Sequence, residues 1–290
     1  MRWLEISVLT SREAADAVGA RLLDLRAGYV EEETAQGVLL RTYLPDGPST
    51  AAHLEALRQH VLGLRDFGLD IGPATLTVRE VEGTDWTEAW KEHFRPFRVG
   101  RFLIRPPWQE ADVGEGEIEV VLNPGMAFGT GLHPSTRLCL HALEAHVQGG
   151  ETVLDLGTGS GILAVAAAKL GARRVLAVDR DPLACAVAAE NAQRNRVEVE
   201  VRCGDLLAGI EEPVDVLVMN ISAAAVAAVL PEAPSRLKRD GVFIASGFVE
   251  EDVPKLLEGA ARSGFRMEQI LAQAEWRALV FAYPGCAGCS

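Results

Sequence analysis

Long apolar runs are missing from this sequence, and so are concentrations of positive charge. The longest apolar stretches, such as ISAAAVAAVL at 221–230, fall far short of the roughly 18 residues that span a bilayer, so no membrane association is expected. MRWLEISVLT sets Glu5 where a signal peptide needs its apolar core, which makes a cytoplasmic protein the expectation. Lys and Arg together (28) are outnumbered by Asp and Glu (41), for a formal net charge of −13. A nucleic-acid binder needs a concentrated cationic face, and none is visible. Direct nucleic-acid binding is therefore not expected, whereas the same field suits a cationic substrate. The five cysteines are scattered and odd in number, which fits a reducing compartment rather than a disulfide framework. Cys286 and Cys289 have the spacing of half a zinc knuckle, but no second pair follows. No metal site is assigned, and CAGCS reads as a disordered tail. Internal repeats and low-complexity tracts are absent as well.

What is present is ample apolar material, 48% of 290 residues, enough to build one large or two medium domains. Residues 1–82 read as a small α/β module. RWLEISVL alternates like a strand, and Thr10 with Glu13 forms a T-x-x-E capping box before the helical stripe Ala14, Val18, Leu22 and Leu25. GYVEEE and GVLLRTYL follow as strands, then a helix bearing Leu54, Leu57, Val61 and Leu64, then the strand ATLTVREV. The order β-α-β-β-α-β is that of a ferredoxin-like domain. Residues 83–104 hold a linker helix with Trp86, Trp90 and Phe94 on one face until Pro96 stops it. Those rings either glue the helix to a core or meet a substrate. FLIRPPW and EIEVVLN then lead as strands into NPGMAFGTGLHPST at 123–136, and residues 105–290 form the main domain. From residue 151 the strands TVLDL, RVLAVD, VEVEVRC, VDVLVMN and GVFIAS alternate with Ala-rich helical runs, and FRMEQILA and WRALVFAY close the chain. That alternation predicts a doubly wound, Rossmann-like parallel sheet.

The chemistry gathers after the first strand of that sheet. VLDLGTGSGIL places Gly157, Gly159 and Gly161 between a strand and a helix N-terminus, where the backbone can approach a ligand and offer free amides. A plain tight turn is the alternative. A dinucleotide fingerprint would need glycine at 162, where Ile162 stands. Asp155 puts a carboxylate near the cofactor, which repels a pyrophosphate and tolerates a cationic amino-acid cofactor. Asp179 ends the second strand, where an acid accepts both ribose hydroxyls. Asp181 precedes Pro182 and reads as a helix N-cap. Asp205, after the third strand, either binds an adenine amino group or lies in a solvated turn. Asn220 emerges at the carboxyl edge of the fourth strand, as a ligand-facing residue or as an ordinary turn former.

The series DLGTGSG, VDRDP, GD and the strand-end Asn220 resembles class I methyltransferases that use S-adenosylmethionine. More narrowly, DWTEAWKEHFRPFRVGRFLIRPPW with NPGMAFGTGLHPSTRLCL is similar to the bacterial PrmA family, which trimethylates amino groups of large-subunit ribosomal protein L-eleven. The resemblance covers nearly the whole chain from residue 84 and fits the N-terminal module in size. It implies a fold of the class I methyltransferase type, a loop at 123–136 that closes over the cofactor, and cofactor contacts from Phe128, Gly129, Thr130, Gly131 and Thr136 beside Gly157, Asp179 and Asn220. The glycines suit a water-excluding cover. His133 within it reads as a cap or packing residue rather than a catalyst. It further implies transfer to lysine and N-terminal amino groups of ribosomal protein L-eleven by a monomer, with residues 1–82 as the substrate arm and the aromatic helix as its hinge. Ser222 departs from the family, which usually shows leucine after Asn-Ile, and this bears on the substrate pocket. Asn220 is the expected catalytic residue, its amide oxygen orienting a neutral amine while water takes the proton. Competing readings are a class I methyltransferase for protein glutamine, a small molecule or RNA; an NAD-dependent oxidoreductase, disfavoured by Ile162 and Asp155; and a binding module that kept the fold.

Overall fold

The computed structural model describes residues 3–24, 29–47, 50–67, 69–81, 95–123 and 131–284, and the chain divides into two compact units, 1–94 and 95–290. Trp86, Trp90 and Phe94, and Cys286 and Cys289, lie outside the described residues.

In the first unit β1 (Trp3–Thr10), α1 (Arg12–Asp24), β2 (Tyr29–Thr34), β3 (Gly37–Pro45), α2 (Thr50–Gly63) and β4 (Thr75–Val81) follow in the expected order. The sheet runs β2-β3-β1-β4 with every neighbour antiparallel, the ferredoxin-like arrangement. Ile6 and Val8 of β1 and Val38 and Leu40 of β3 point one way, by the two-residue period of a strand, onto Val18 and Leu22 of α1 and Leu57 and Val61 of α2. The expected capping box does not form, and a single N-cap bond one residue on replaces it. Thr10 pairs with Val38 in the sheet and spends its hydroxyl on Ile71 O (3.0 Å), so Ser11 Oγ instead accepts the Ala14 N–H (3.1 Å).

The second unit opens with a small sheet of β5 (Phe97–Val99), β6 (Phe102–Arg105) and β7 (Ile118–Val121). Then come α3 (Pro134–His146), β8 (Thr152–Leu156), α4 (Ile162–Lys169), β9 (Arg174–Asp179), α5 (Pro182–Arg194), β10 (Glu200–Cys203), β11 (Val214–Asn220), α6 (Ala223–Val229), β12 (Leu237–Val249), α7 (Val253–Arg262), β13 (Arg266–Gln273) and β14 (Trp276–Tyr283). The large sheet has the order β10-β9-β8-β11-β12-β14-β13; β10 to β12 are parallel and β14 is antiparallel to both its neighbours. Its central strands are buried on both faces. Val153, Val216, Val218 and Ile244 meet α3 and α4, while Leu154, Leu217, Met219 and Phe243 meet the layer of Val226, Leu256 and Phe265. This is the doubly wound fold the alternation predicts. The chain order reverses between β8 and β11, and in such sheets ligands sit at the carboxyl edge of that switch. Among the described residues no helix is long and apolar enough to cross a membrane.

Two local details differ from expectation. The third strand starts at Glu200 rather than Val197, because the Val197 N–H closes on Ala192 O (3.1 Å) and finishes the α5 terminus. Cys185 in α5 and Cys203 at the end of β10 come together, with a Cα separation of 6.0 Å. Their spacing of 18 residues carries no pairing signal; the βαβ crossover brings them together.

At the edge itself, β12 bulges between Ser246 and Phe248 and wraps the end of β11. Gly247 takes φ +95°, and a Cβ there would stand 2.4 Å from Ile221 O and 2.7 Å from Ile221 N. Both the conformation and the space demand glycine. Gly247→Ala is expected to cost about 3 kcal/mol or more of stability, read as a lowered urea midpoint with unchanged slope; an unchanged midpoint would show that the bulge does not hold Ile221.

Candidate active site at the carboxyl edge of the sheet

The glycine turn is tied into the protein more fully than its sequence suggests. The amides of Gly157 and Thr158 both donate to Val178 O (2.8 and 3.1 Å), Gly159 N–H donates to Asp179 Oδ2 (2.9 Å), and Gly161 N–H donates to Thr158 O (2.8 Å). Few amides of the turn are left for a ligand. Gly157 lies at φ +72°, and a Cβ would reach within 2.5 Å of Ile221 Cγ2, so its near neighbour is the residue after Asn220 rather than open space.

Asp155 sits beneath this turn, wholly buried. Its Oδ2 accepts from Thr158 Oγ1 (2.6 Å) and from the amide of Ala164 (3.1 Å), the third residue of α4, which caps that helix from the preceding strand. Its Oδ1 is buried with no partner among the described residues. Burial pushes the carboxyl up to about 7 against the two hydrogen bonds, and the charge of Asp179 adds to the rise. An acceptor in that state calls for a cation or a strong donor.

Asp179 is half-buried at the end of β9, with Oδ2 on Gly159 N–H and Oδ1 on Asp181 N–H (3.0 Å). These bonds fix the carboxylate at the edge and leave lone pairs for further donors. Asp181 is the N-cap of α5, accepting from Leu183 N–H (2.9 Å), with Pro182 behind it. Asp205 lies exposed just after β10, one residue from Gly204, whose amide donates to Asp179 O (2.9 Å). Ser222 is exposed at the start of α6.

The segment 123–136 is anchored at both ends. At its entry Asn123 N–H donates to Asn191 Oδ1 (3.2 Å), while Asn191 Nδ2 donates to Ser160 O (2.9 Å), linking the segment to the glycine turn. One turn on, Asn195 exchanges two bonds with the backbone of Val121 (2.8 and 2.6 Å). Sequence reading missed this pair, although two asparagines four apart in an Ala-rich helix are a signal of buried backbone recognition. At its exit Gly131 is buried beside Ile162 and Phe97. His133 caps α3, its Nδ1 near Ser135 Oγ (2.7 Å) and its ring edge-on to Trp276 at 4.3 Å; burial lowers its pKa, and Glu275 acts the other way. Phe128, Gly129 and Thr130 fall outside the described residues.

Thr136, fully buried in the first turn of α3, meets Asn220 across the sheet edge. Asn220 Nδ2 donates to Thr136 Oγ1 (3.0 Å), and Asn220 Oδ1 is buried without a partner among the described residues. One turn along α3, Cys139 lies near Ser246 and Asp155, and burial pushes its thiol pKa up. The structure thus assembles Thr136, Asp155, Gly157, Gly159, Asp179 and Asn220 around the switch point, with two buried acceptors that lack donors among the described residues. The residues present suit a group that is cationic and rich in N–H donors.

The profile described as Ribosomal protein L11 methyltransferase (PrmA) matches residues 2–283. A protein of Enterococcus faecalis named ribosomal protein L11 methyltransferase is 38% identical, with 98% of this chain and 99% of that one covered. One of the same name from Alkaliphilus oremlandii is 34% identical, covering 98% and 100%. The crystal structure of a ribosomal protein L11 methylase from Lactobacillus delbrueckii subsp. bulgaricus superposes with a TM-score of 0.63 at 32% identity, over 66% of this chain and 99% of that one. With a doubly wound sheet, a tied glycine turn and these relatives along nearly its full length, the chain belongs to the ribosomal protein L11 methyltransferase (PrmA) family.

Proposed function

We propose that this methyltransferase moves methyl groups from S-adenosylmethionine to lysine and N-terminal amino groups of ribosomal protein L11. The observation that most supports an amine as acceptor is the buried Asn220 Oδ1 at the carboxyl edge of β11, which has no donor among the described residues and suits an N–H group. S-adenosylmethionine supplies an electrophilic methyl on a sulfonium. Asp155 and the turn at Gly157 and Gly159 hold its cationic amino-acid end, Asp179 its ribose and Asp205 its adenine, while Phe128, Gly129, Thr130, Gly131 and Thr136 cover it.

The chain's own work is alignment and exclusion of water. Holding the reacting atoms in line is worth roughly 7–11 kcal/mol of barrier. A lysine with a reference pKa near 10.4 must lose its proton, and a depression of about three units, costing about 4 kcal/mol, lies within what desolvation beside a cation imposes. Water takes the proton, so no general base is required. Residues 1–82 serve as the substrate arm, 83–104 as the hinge and 105–290 as the methyl-transfer domain. The enzyme works as a monomer in the cytoplasm, without binding nucleic acid or membrane.

The test is incubation with purified L11 and labelled cofactor, followed by intact-mass and fragment analysis. Mass increments of one methylene localised to amines are expected; label on glutamine, or none, would overturn the reading. Asp179→Ala is expected to weaken cofactor binding in calorimetry by about 1–3 kcal/mol, the loss of a charge-assisted hydrogen bond. Unchanged affinity would remove Asp179 from the site.

A further inference from the structure

We propose that Thr136 is a positioning residue that makes Asn220 a reader of amine N–H groups, so that the pair speeds the first and second methyl transfers to one nitrogen but not the third. The inference rests on the amine reading above and concerns what the Asn220 amide does there.

A primary carboxamide has one accepting and one donating end, and its neighbours decide which end faces a ligand. Here the Nδ2 end is spent on Thr136 Oγ1 at 3.0 Å, and the oxygen end is left without a donor among the described residues. Thr136 is well placed to hold that nitrogen. It is fully buried, its N–H is bonded to His133 O (3.1 Å), and the turn that carries it is capped by the His133 side chain. Asn220 is held in turn by the register of β11 against β12, where it pairs with Ser246, whose carbonyl accepts from Ile221 N–H (3.0 Å). A rigid acceptor therefore waits for whatever nitrogen docks.

In each transfer the nitrogen lone pair forms the new carbon–nitrogen bond. The methyl–sulfur bond breaks, its electron pair stays on sulfur, and any proton still on nitrogen leaves to water. A neutral primary amine carries two N–H bonds beside its lone pair, a monomethylated amine one, and a dimethylated amine none. Asn220 Oδ1 can steady the first two nucleophiles with a hydrogen bond while the lone pair points at the methyl group. The third offers it only methyl groups. The benefit of the Thr136–Asn220 pair ends at the second transfer, and the last methyl is added by proximity alone.

The experiment uses the full-length enzyme with two substrates, untreated L11 and L11 whose amines have been dimethylated chemically. Single-turnover rates are followed by mass at saturating cofactor, with cofactor affinity measured separately. Thr136→Val keeps the side-chain shape and removes the acceptor. At saturating cofactor it is expected to slow the first and second transfers on the order of tenfold more than transfer to dimethylated L11, while Thr136→Ser behaves as wild type. Equal slowing of all three transfers, or a loss confined to cofactor affinity, overturns the proposal and makes Thr136 a structural or cofactor contact. Failure of the wild type to label any amine sinks the amine reading itself and is thereby distinguishable.

Discussion

Asn220→Asp is expected to remove most methyl transfer at neutral pH and to return part of it as the pH rises. The wild-type amide offers a neutral oxygen from a buried position, its other end held by Thr136. A carboxylate in that place attracts a proton onto the docked amine, and an ammonium ion has no lone pair with which to attack. Raising the pH through the amine's elevated pKa restores the nucleophile. Asn220→Ala lacks that recovery: it removes the acceptor and is expected to lower turnover on the order of 10- to 100-fold, with a smaller effect on cofactor affinity, because the bond matters most in the aligned transition state. Single-turnover transfer measured from about pH 7 to 10 separates the two variants. Wild-type rates in both across that range would reduce Asn220 to a residue that ends a strand.

The second large effect is expected at Asp155. Burial raises its carboxyl from 3.8 to about 7, so the free enzyme binds a proton here that the unfolded chain has released. This group's contribution to stability is therefore fully present below about pH 4 and is lost as the pH rises to about 7. A shift of about three units corresponds to about 4 kcal/mol as an upper bound. Asp155→Asn keeps an oxygen for Thr158 and Ala164 and has no charge to bury. At pH 8 the cofactor-free variant should be the more stable protein in urea, and at pH 4 the two should converge. Saturating S-adenosylmethionine should close the gap at pH 8 by stabilising the ionised wild type. By the same linkage wild-type affinity for the cofactor should fall as the pH drops below about 7, and the variant should bind weakly without that slope. Parallel stability curves for the two proteins would show that Asp155 is ionised and satisfied in the free enzyme.

Much of the fold was legible because the central strands are apolar on both faces and short, bounded by turns. TVLDL, RVLAVD and VDVLVMN coincide with β8, β9 and β11. Strand period, helix stripe and Pro182 after Asp181 are local signals, set by residues within one or two turns of each other. The Thr10 cap failed for a non-local reason, since the sheet claimed Thr10 first.

Local patterning thus determined which segments are strands and helices, where the glycine turn falls, and that an acid and an amide stand at strand ends. Tertiary structure alone decided how those groups are spent. Thr136 and Asn220 are 84 residues apart, and Asn191 lies 68 residues from Asn123 and 31 from Ser160. Gly157 and Gly247 are glycines because Ile221 passes close to both. Asp155 reads in sequence as a carboxylate beside a cofactor, and only its burial, with one oxygen bonded and the other without a partner among the described residues, raises its pKa to about 7. Desolvation and hydrogen-bond pairing depend on what packs around a side chain, and that is settled by distant segments meeting at the sheet edge.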